Sequence, residues 1–318
     1  MRFLATLLLL SLAASAVAQS YPNRPIRLIV PFAPGGSADL VGRLLAQQLS
    51  ESVGQPVVVE NKGGASGMLG NDYVAKSPPD GYTLSVGTLG PFAVNPTLYE
   101  HVPYDNIRDF APITLTGISS HILVAHPSVP VQNVTELIAL AKTKPGQLTF
   151  ASSGTGNATH LTFELFKARA GIEIVHVPYK GGGPAMADLV GGQVLFSFAS
   201  MASAVPFVKA GRLRAIAVSG GERSALFPDV PTVGESGLPG FASEDWQGIL
   251  APAKTPAEVV MKLNGEIARI LALPEVKAKL AAAGFDAKSS TPEAFGQFIQ
   301  AETLKWAKLL KGIGLKAQ

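Results

Sequence analysis

Four times along the chain, a short run of apolar, largely β-branched residues leads into a glycine-rich turn and then into a segment with helical apolar spacing. In the first copy Ile26-Arg27-Leu28-Ile29-Val30 reads as a buried strand and Ala33-Pro34-Gly35-Gly36-Ser37 as the turn. Ala38 to Leu49 follows as a helix with Leu40, Val41, Leu44 and Leu45 on one side. Val57-Val58-Val59, Gly63-Gly64-Ala65-Ser66-Gly67 and the segment to Lys76 repeat the unit. The third copy is Leu148-Thr149-Phe150, the turn Ser152 to Gly156, and a helix from Ala158 to Ala170 stopped by Gly171. The fourth runs Ile174 to Val177, Gly181-Gly182-Gly183, then Pro184 to Val190, with Pro184 suited to the first helical position. Strands alternating with helices at this spacing predict an α/β fold, a mainly parallel sheet with helices on both faces.

The C-terminal end is helical without intervening strands. Thr255-Pro256-Ala257-Glu258 reads as a capping box opening a helix to about Leu273, and Pro274–Ala283 is a second helix stopped by Gly284. Thr291-Pro292-Glu293 opens a third that runs to Lys311 before Gly312. Between these helices and the repeated units lies a Pro/Gly-rich connection from Phe227 to Gly240, followed by Trp246 to Ala251, read as a strand re-entering the first part of the fold.

Residues 1–18 change the expected compartment. Met1-Arg2, the apolar run Phe3 to Leu12 and the small-residue site Ala16-Val17-Ala18 predict a cleaved secretory signal peptide, too short to span a bilayer. With no cysteine there is no disulfide framework, thiolate metal site or lipid-bearing cysteine. The exported chain must therefore stabilise itself through its core, for which its length suffices. The 26 basic and 23 acidic residues leave +3, one less after Arg2 departs, with no basic run of five or more, which argues against nucleic-acid binding.

A strand, a glycine turn and a helix N-terminus together form an anion site, because unpaired N–H groups and the positive helix end point into the turn. The richest such junction is Ser152-Ser153-Gly154-Thr155-Gly156-Asn157-Ala158-Thr159-His160. Two readings stay open there: neutral donors for a carboxylate, or a strongly capped helix with Asn157 as the cap. Neither G-x-G-x-x-G after Val30 nor a P-loop is present, and Asp39 would repel a full phosphate while balancing its helix dipole. G-x-S-x-G and H-E-x-x-H are absent, so no catalytic, metal or cofactor residue is predicted. His160 and Glu164 read as a local pair rather than metal ligands. Phe32, Phe92, Phe196 and Phe198 are positioned to line a pocket or to fill the core.

Pro31-Phe32-Ala33-Pro34-Gly35-Gly36, Asn61-Lys62-Gly63-Gly64, Asp80-Gly81-Tyr82-Thr83-Leu84, Pro178-Tyr179-Lys180-Gly181, Gly191-Gly192-Gln193-Val194 and Phe227-Pro228-Asp229-Val230-Pro231-Thr232 are, in that order, similar to the Bug family. These are extracytoplasmic solute receptors of tripartite tricarboxylate transporters. The resemblance implies a type II periplasmic binding protein fold, with two lobes joined by crossing strands and a ligand cleft between them. Residues 19–119 and 242–318 are then lobe 1, and residues 120–241 lobe 2. It implies carboxylate binding by the first loop, Phe32, Ala33, Pro34, Gly35 and Gly36, partly through ordered water, and by Thr88. The second lobe contributes Ser153, Thr155, Asn157, Ala158, Thr159 and His160, with Lys180, Gly181 and Gly182 close by. The implied protein is a periplasmic monomer without a cofactor that passes a small carboxylate to the membrane transporter. A sensory binding protein on the same fold and an exported hydrolase are the competing classes. Many relatives carry serine at Gly182 and aspartates at Leu195 and Ala199. Their loss here disfavours an amino acid ligand and, with the phenylalanines, leaves room for a dicarboxylate or an aromatic acid.

Overall fold

The computed structural model describes residues 21–315, so the signal-peptide segment lies outside the described residues. Its strands are β1 (Ile26–Val30), β2 (Val57–Asn61), β3 (Thr83–Thr88), β4 (Phe110–Ala125) and β5 (Thr149–Ser152), followed by β6 (Val175–Pro178), β7 (Phe196–Ser200), β8 (Arg214–Val218), β9 (Glu244–Pro252) and β10 (Phe285–Ala287).

In the first lobe β2, β1 and β3 are parallel, with Ile26 opposite Val57 and Arg27 opposite Thr83, and β9 and β4 extend the sheet antiparallel. Ile26, Leu28 and Val30 pack against the Ser37–Val53 helix through Val41, Leu45 and Leu49. The Ala257–Ala272 helix closes the same core with Val260, Leu263 and Ile267. A second cluster, around Phe92, Trp246, Phe295 and Trp306, lies under the Pro292–Ile313 helix. The second lobe carries parallel β6, β5 and β7, around a core of Phe150, Phe163, Phe166, Phe196 and Phe198.

One long strand joins the lobes, and no repeated unit in the sequence foreshadows it. The 16-residue β4 pairs with β9 from Phe110 to Ser120, then with β7 and β8 from His121 to Ala125. Ser219 stitches the return crossing to it: its hydroxyl accepts the His121 N–H at 2.8 Å and donates to the Ser243 carbonyl at 2.6 Å.

Three local expectations are corrected. Thr255 does not cap the helix that follows it; its hydroxyl donates to Pro252 O at 2.7 Å and Pro256 takes the cap position. The fourth helix begins at Gly182, which makes Pro184 its third residue. The last helix passes Gly312 and ends at Gly314, whose φ of 67° supplies the left-handed cap.

Candidate functional site

The cavity between the lobes sits where βα turns of both sheets meet, the usual ligand position in open α/β folds. Four helices start at it, and three of them have no side-chain cap: Ser37–Val53 after Gly36, Ala158–Ala170 after Asn157, and Gly182–Val190 after Gly181; the fourth, Met201–Lys209, is capped by Ser200. Each open end presents first-turn N–H groups and the positive end of its dipole. Two of these ends face each other across the lobes, where a Cβ on Gly36 would lie 3.4 Å from Gly182 N.

Asn157 is not the side-chain cap of its helix. Its side-chain amide donates to Ser153 O at 3.0 Å, while its Oδ1 is buried without a partner and caps nothing. Thr88 Oγ1 is likewise buried and unpartnered at the cavity wall. By contrast, the Thr159 hydroxyl is engaged by Ser153 N–H and Ser153 Oγ, both at 2.9 Å.

Of the residues singled out in the sequence, Phe32, Gly36, Thr88, Ser153, Asn157, Ala158, Thr159 and Gly182 line this cavity. Ala33, Pro34, Gly35 and Gly181 form the contact between lobes, closed by the Ala33 N–H donating to Lys180 O at 2.9 Å. Thr155 and Lys180 line a separate outer groove with Ser66 and Tyr99, and the Tyr99 hydroxyl donates to Thr155 O at 3.0 Å. His160 lies beneath the loop. Its Nδ1 accepts the Gly156 N–H at 3.0 Å and its ring stacks on His176 with centroids 4.0 Å apart. Glu164 pairs with His160 at 3.6 Å and with Lys167 at 2.8 Å. Asp39 anchors the first loop: it accepts from Gly35 N–H at 3.1 Å and from Asn61 at 2.9 Å, and Asn61 also donates to Phe32 O at 3.0 Å. Burial pushes the Asp39 carboxyl up, but the hydrogen bonds from Arg43, Asn61 and Gly35 outweigh it and hold the group ionised.

All four phenylalanines belong to the hydrophobic clusters. Phe196 and Phe198 belong to the second-lobe cluster and Phe92 packs on Phe110 with centroids 4.8 Å apart, so only Phe32 reaches the cavity. The wall also holds residues that sequence reasoning missed, notably Ser37, His121, Ser200, Ser203 and Asp245. Ser37 accepts from Gln247 at 2.9 Å, and Ser200 and Ser203 share a hydroxyl bond of 2.7 Å. Burial lowers His121 to about 4, so its ring is neutral, and burial raises Asp245 to about 7. The usable signal was a titratable residue bordering an apolar strand run: His121 before Ile122 to Ala125, and Asp245 before Trp246. Among the described residues lining the cavity there is no lysine or arginine.

Two α/β lobes, crossing strands and a cleft ringed by helix ends define a periplasmic solute-binding protein of the type II class. The chain belongs to the tripartite tricarboxylate transporter receptor family, whose model matches residues 41–315. It is 40% identical to protein BugT of Bordetella pertussis, over 96% of this chain and 94% of that one. Its fold is similar to that of an R. palustris protein solved with adipate, with a TM-score of 0.91 and 36% identity over 93% of this chain and 99% of the other. It is also similar to MatC from Rhodopseudomonas palustris with bound malate: TM-score 0.87 and 33% identity over 91% of this chain and 100% of that one. This is a family of solute-binding receptors, and the chain is one of them rather than an enzyme.

Proposed function

We propose that the protein is a periplasmic receptor that closes its lobes on a small carboxylic acid and delivers it to a membrane transporter of the tripartite tricarboxylate type. The observation that carries this reading is the convergence of three uncapped helix N-termini on a cavity with no cationic side chain. Such a site suits a carboxylate, which backbone N–H groups and neutral donors can hold without an arginine clamp. Thr88, whose buried hydroxyl is still unpaired and can donate, together with Ser153 and the helix starts at Gly36, Asn157 and Gly182, are the groups we assign to the ligand. With Phe32 alone of the four phenylalanines at its wall, the cavity favours a dicarboxylate over an aromatic acid. The adipate and malate held by the two R. palustris relatives support that preference.

Within the described residues, 21–119 with 242–315 and 120–241 are the bodies that hinge, about β4 near Ser120 and the crossing before β9. Export follows from residues 1–18, and no described helix is long and apolar enough to cross a membrane. A thermal-shift panel of adipate, malate, succinate, benzoate, aspartate and glutamate tests the reading, because a bound ligand raises the melting temperature. Dicarboxylates should stabilise the protein. Stabilisation by the amino acids alone, or by none of the panel, would contradict it.

A further inference from the structure

The cleft contains a carboxyl group that nothing cationic balances. Asp245 opens β9 opposite Ser119 of β4 and lines the cavity together with His121, and these two are its titratable lining groups among the described residues. Asp245 Oδ1 accepts the Trp246 N–H at 2.9 Å. From the other elements packed around it, Asp245 meets the backbone N–H of Leu89 and the negative field of Glu302 on the last helix, while His121, which lines the same cavity, is a neutral ring. Glu302 is itself paired with Lys305 at 2.8 Å. His121 is held as a neutral ring by burial, with Nδ1 3.4 Å from the Thr162 hydroxyl, which is bonded onward to Ser243 at 2.7 Å.

An acid entering this cavity as an anion therefore meets a second carboxyl with no lysine or arginine between them. Two ionised carboxylates sharing a site with little water repel, and one of them is held as the neutral acid. We propose that Asp245 is a ligand-binding residue that works as a proton carrier: as the carboxylate enters, one proton passes from solvent to Asp245, whose O–H then donates to the anion. No other bond is made or broken, and the ligand keeps its charge. The inference rests on the carboxylate-receptor reading and adds to it a proton taken up with the ligand. Burial already pushes Asp245 up to about 7, so the proton is acquired near neutrality at small cost. It also sharpens the question of ligand type, because an ionised Asp245 would instead be the partner of a ligand ammonium group.

Titration calorimetry with adipate and with malate, in two buffers of different ionisation enthalpy, reads the proton directly. At about pH 8, where both ligands are fully ionised and Asp245 is mostly so, uptake should approach one proton per ligand, and affinity should fall about tenfold per pH unit above that point. In Asp245→Asn, whose amide oxygen can still accept the Trp246 N–H, both the uptake and the pH dependence should vanish. Binding by the unaltered protein with no uptake and a flat pH profile would overturn the inference and leave the carboxylate reading standing. Uptake that persists in Asp245→Asn would overturn it too, by placing the proton on another group. Preferential binding of aspartate or glutamate, with proton release, would assign Asp245 the opposite role. If neither adipate nor malate binds, the carboxylate reading fails and the inference fails with it.

Discussion

Replacing Gly183 with alanine should hold the cleft open while leaving the fold intact. Gly183 is the second residue of the Gly182–Val190 helix and packs against the first-lobe loop. A Cβ there would lie 2.2 Å from Pro34 O and 3.6 Å from the Gly35 Cα. Carbon and oxygen do not approach so closely, so the loops must part by about 1 Å. That movement takes the bond from Ala33 N–H to Lys180 O, now 2.9 Å, beyond hydrogen-bonding range. Losing that bond removes about 1 kcal/mol from closure, and drawing a helix end away from the ligand removes about another 1 kcal/mol. Adipate affinity should therefore fall about 30-fold. The substitution does not threaten the second lobe, because alanine is the better helix former by up to about 1 kcal/mol. Calorimetry gives the affinity, small-angle scattering with and without adipate gives the closure, and the melting temperature of the free protein controls for folding. Unchanged affinity and unchanged compaction in Gly183→Ala would refute closure through this contact.

Thr88→Val removes a buried hydroxyl that has no partner in the protein, so stability should hold or rise by about 1 kcal/mol while adipate binding weakens about tenfold; a lower melting temperature with unchanged affinity would make the hydroxyl structural. Asp245 titrates in the folded protein at about 7, against 3.8 for an unperturbed carboxyl. Its folded form thus holds the proton more tightly, and the stability this contributes is fully present below about pH 4 and lost as pH rises through 7. Asp245→Asn should gain up to about 4 kcal/mol over the parent at about pH 8 and almost nothing at about pH 4, measured by urea unfolding; an equal effect at both values would exclude this titration. If export proceeds as proposed, the intact mass of the periplasmic protein should correspond to a chain beginning at Gln19, and a mass that includes Met1 would exclude cleavage after Ala18.

Periodicity carried much of the architecture. Ile26–Val30, its turn and the helix from Ser37 are legible because a buried parallel strand, a glycine turn and a one-sided helix each leave a distinct pattern. The same holds for Ala158–Ala170 and its stop at Gly171. The long β4 was invisible, since its two halves serve different sheets and its burial follows no single alternation. Caps were read from residue type, and Thr255 shows why that fails: its hydroxyl had a nearer acceptor in Pro252 O. At the site, the glycine turns marked the helix ends, whereas Asp245 and His121 come from the strands that cross between lobes. Their meeting with Thr88 and Asn157 depends on how the lobes close, which no local pattern encodes.

Mass spectrometry of the small molecules released from protein purified out of the periplasm, with the intact complex weighed alongside, tests the central claim most directly. A carboxylic acid bound one to one, released chemically unchanged and restoring the same complex when added back to stripped protein, is the predicted result. A released sugar, amine or phosphate compound that rebinds while adipate, malate and succinate do not, or an acid recovered in altered form, would contradict it.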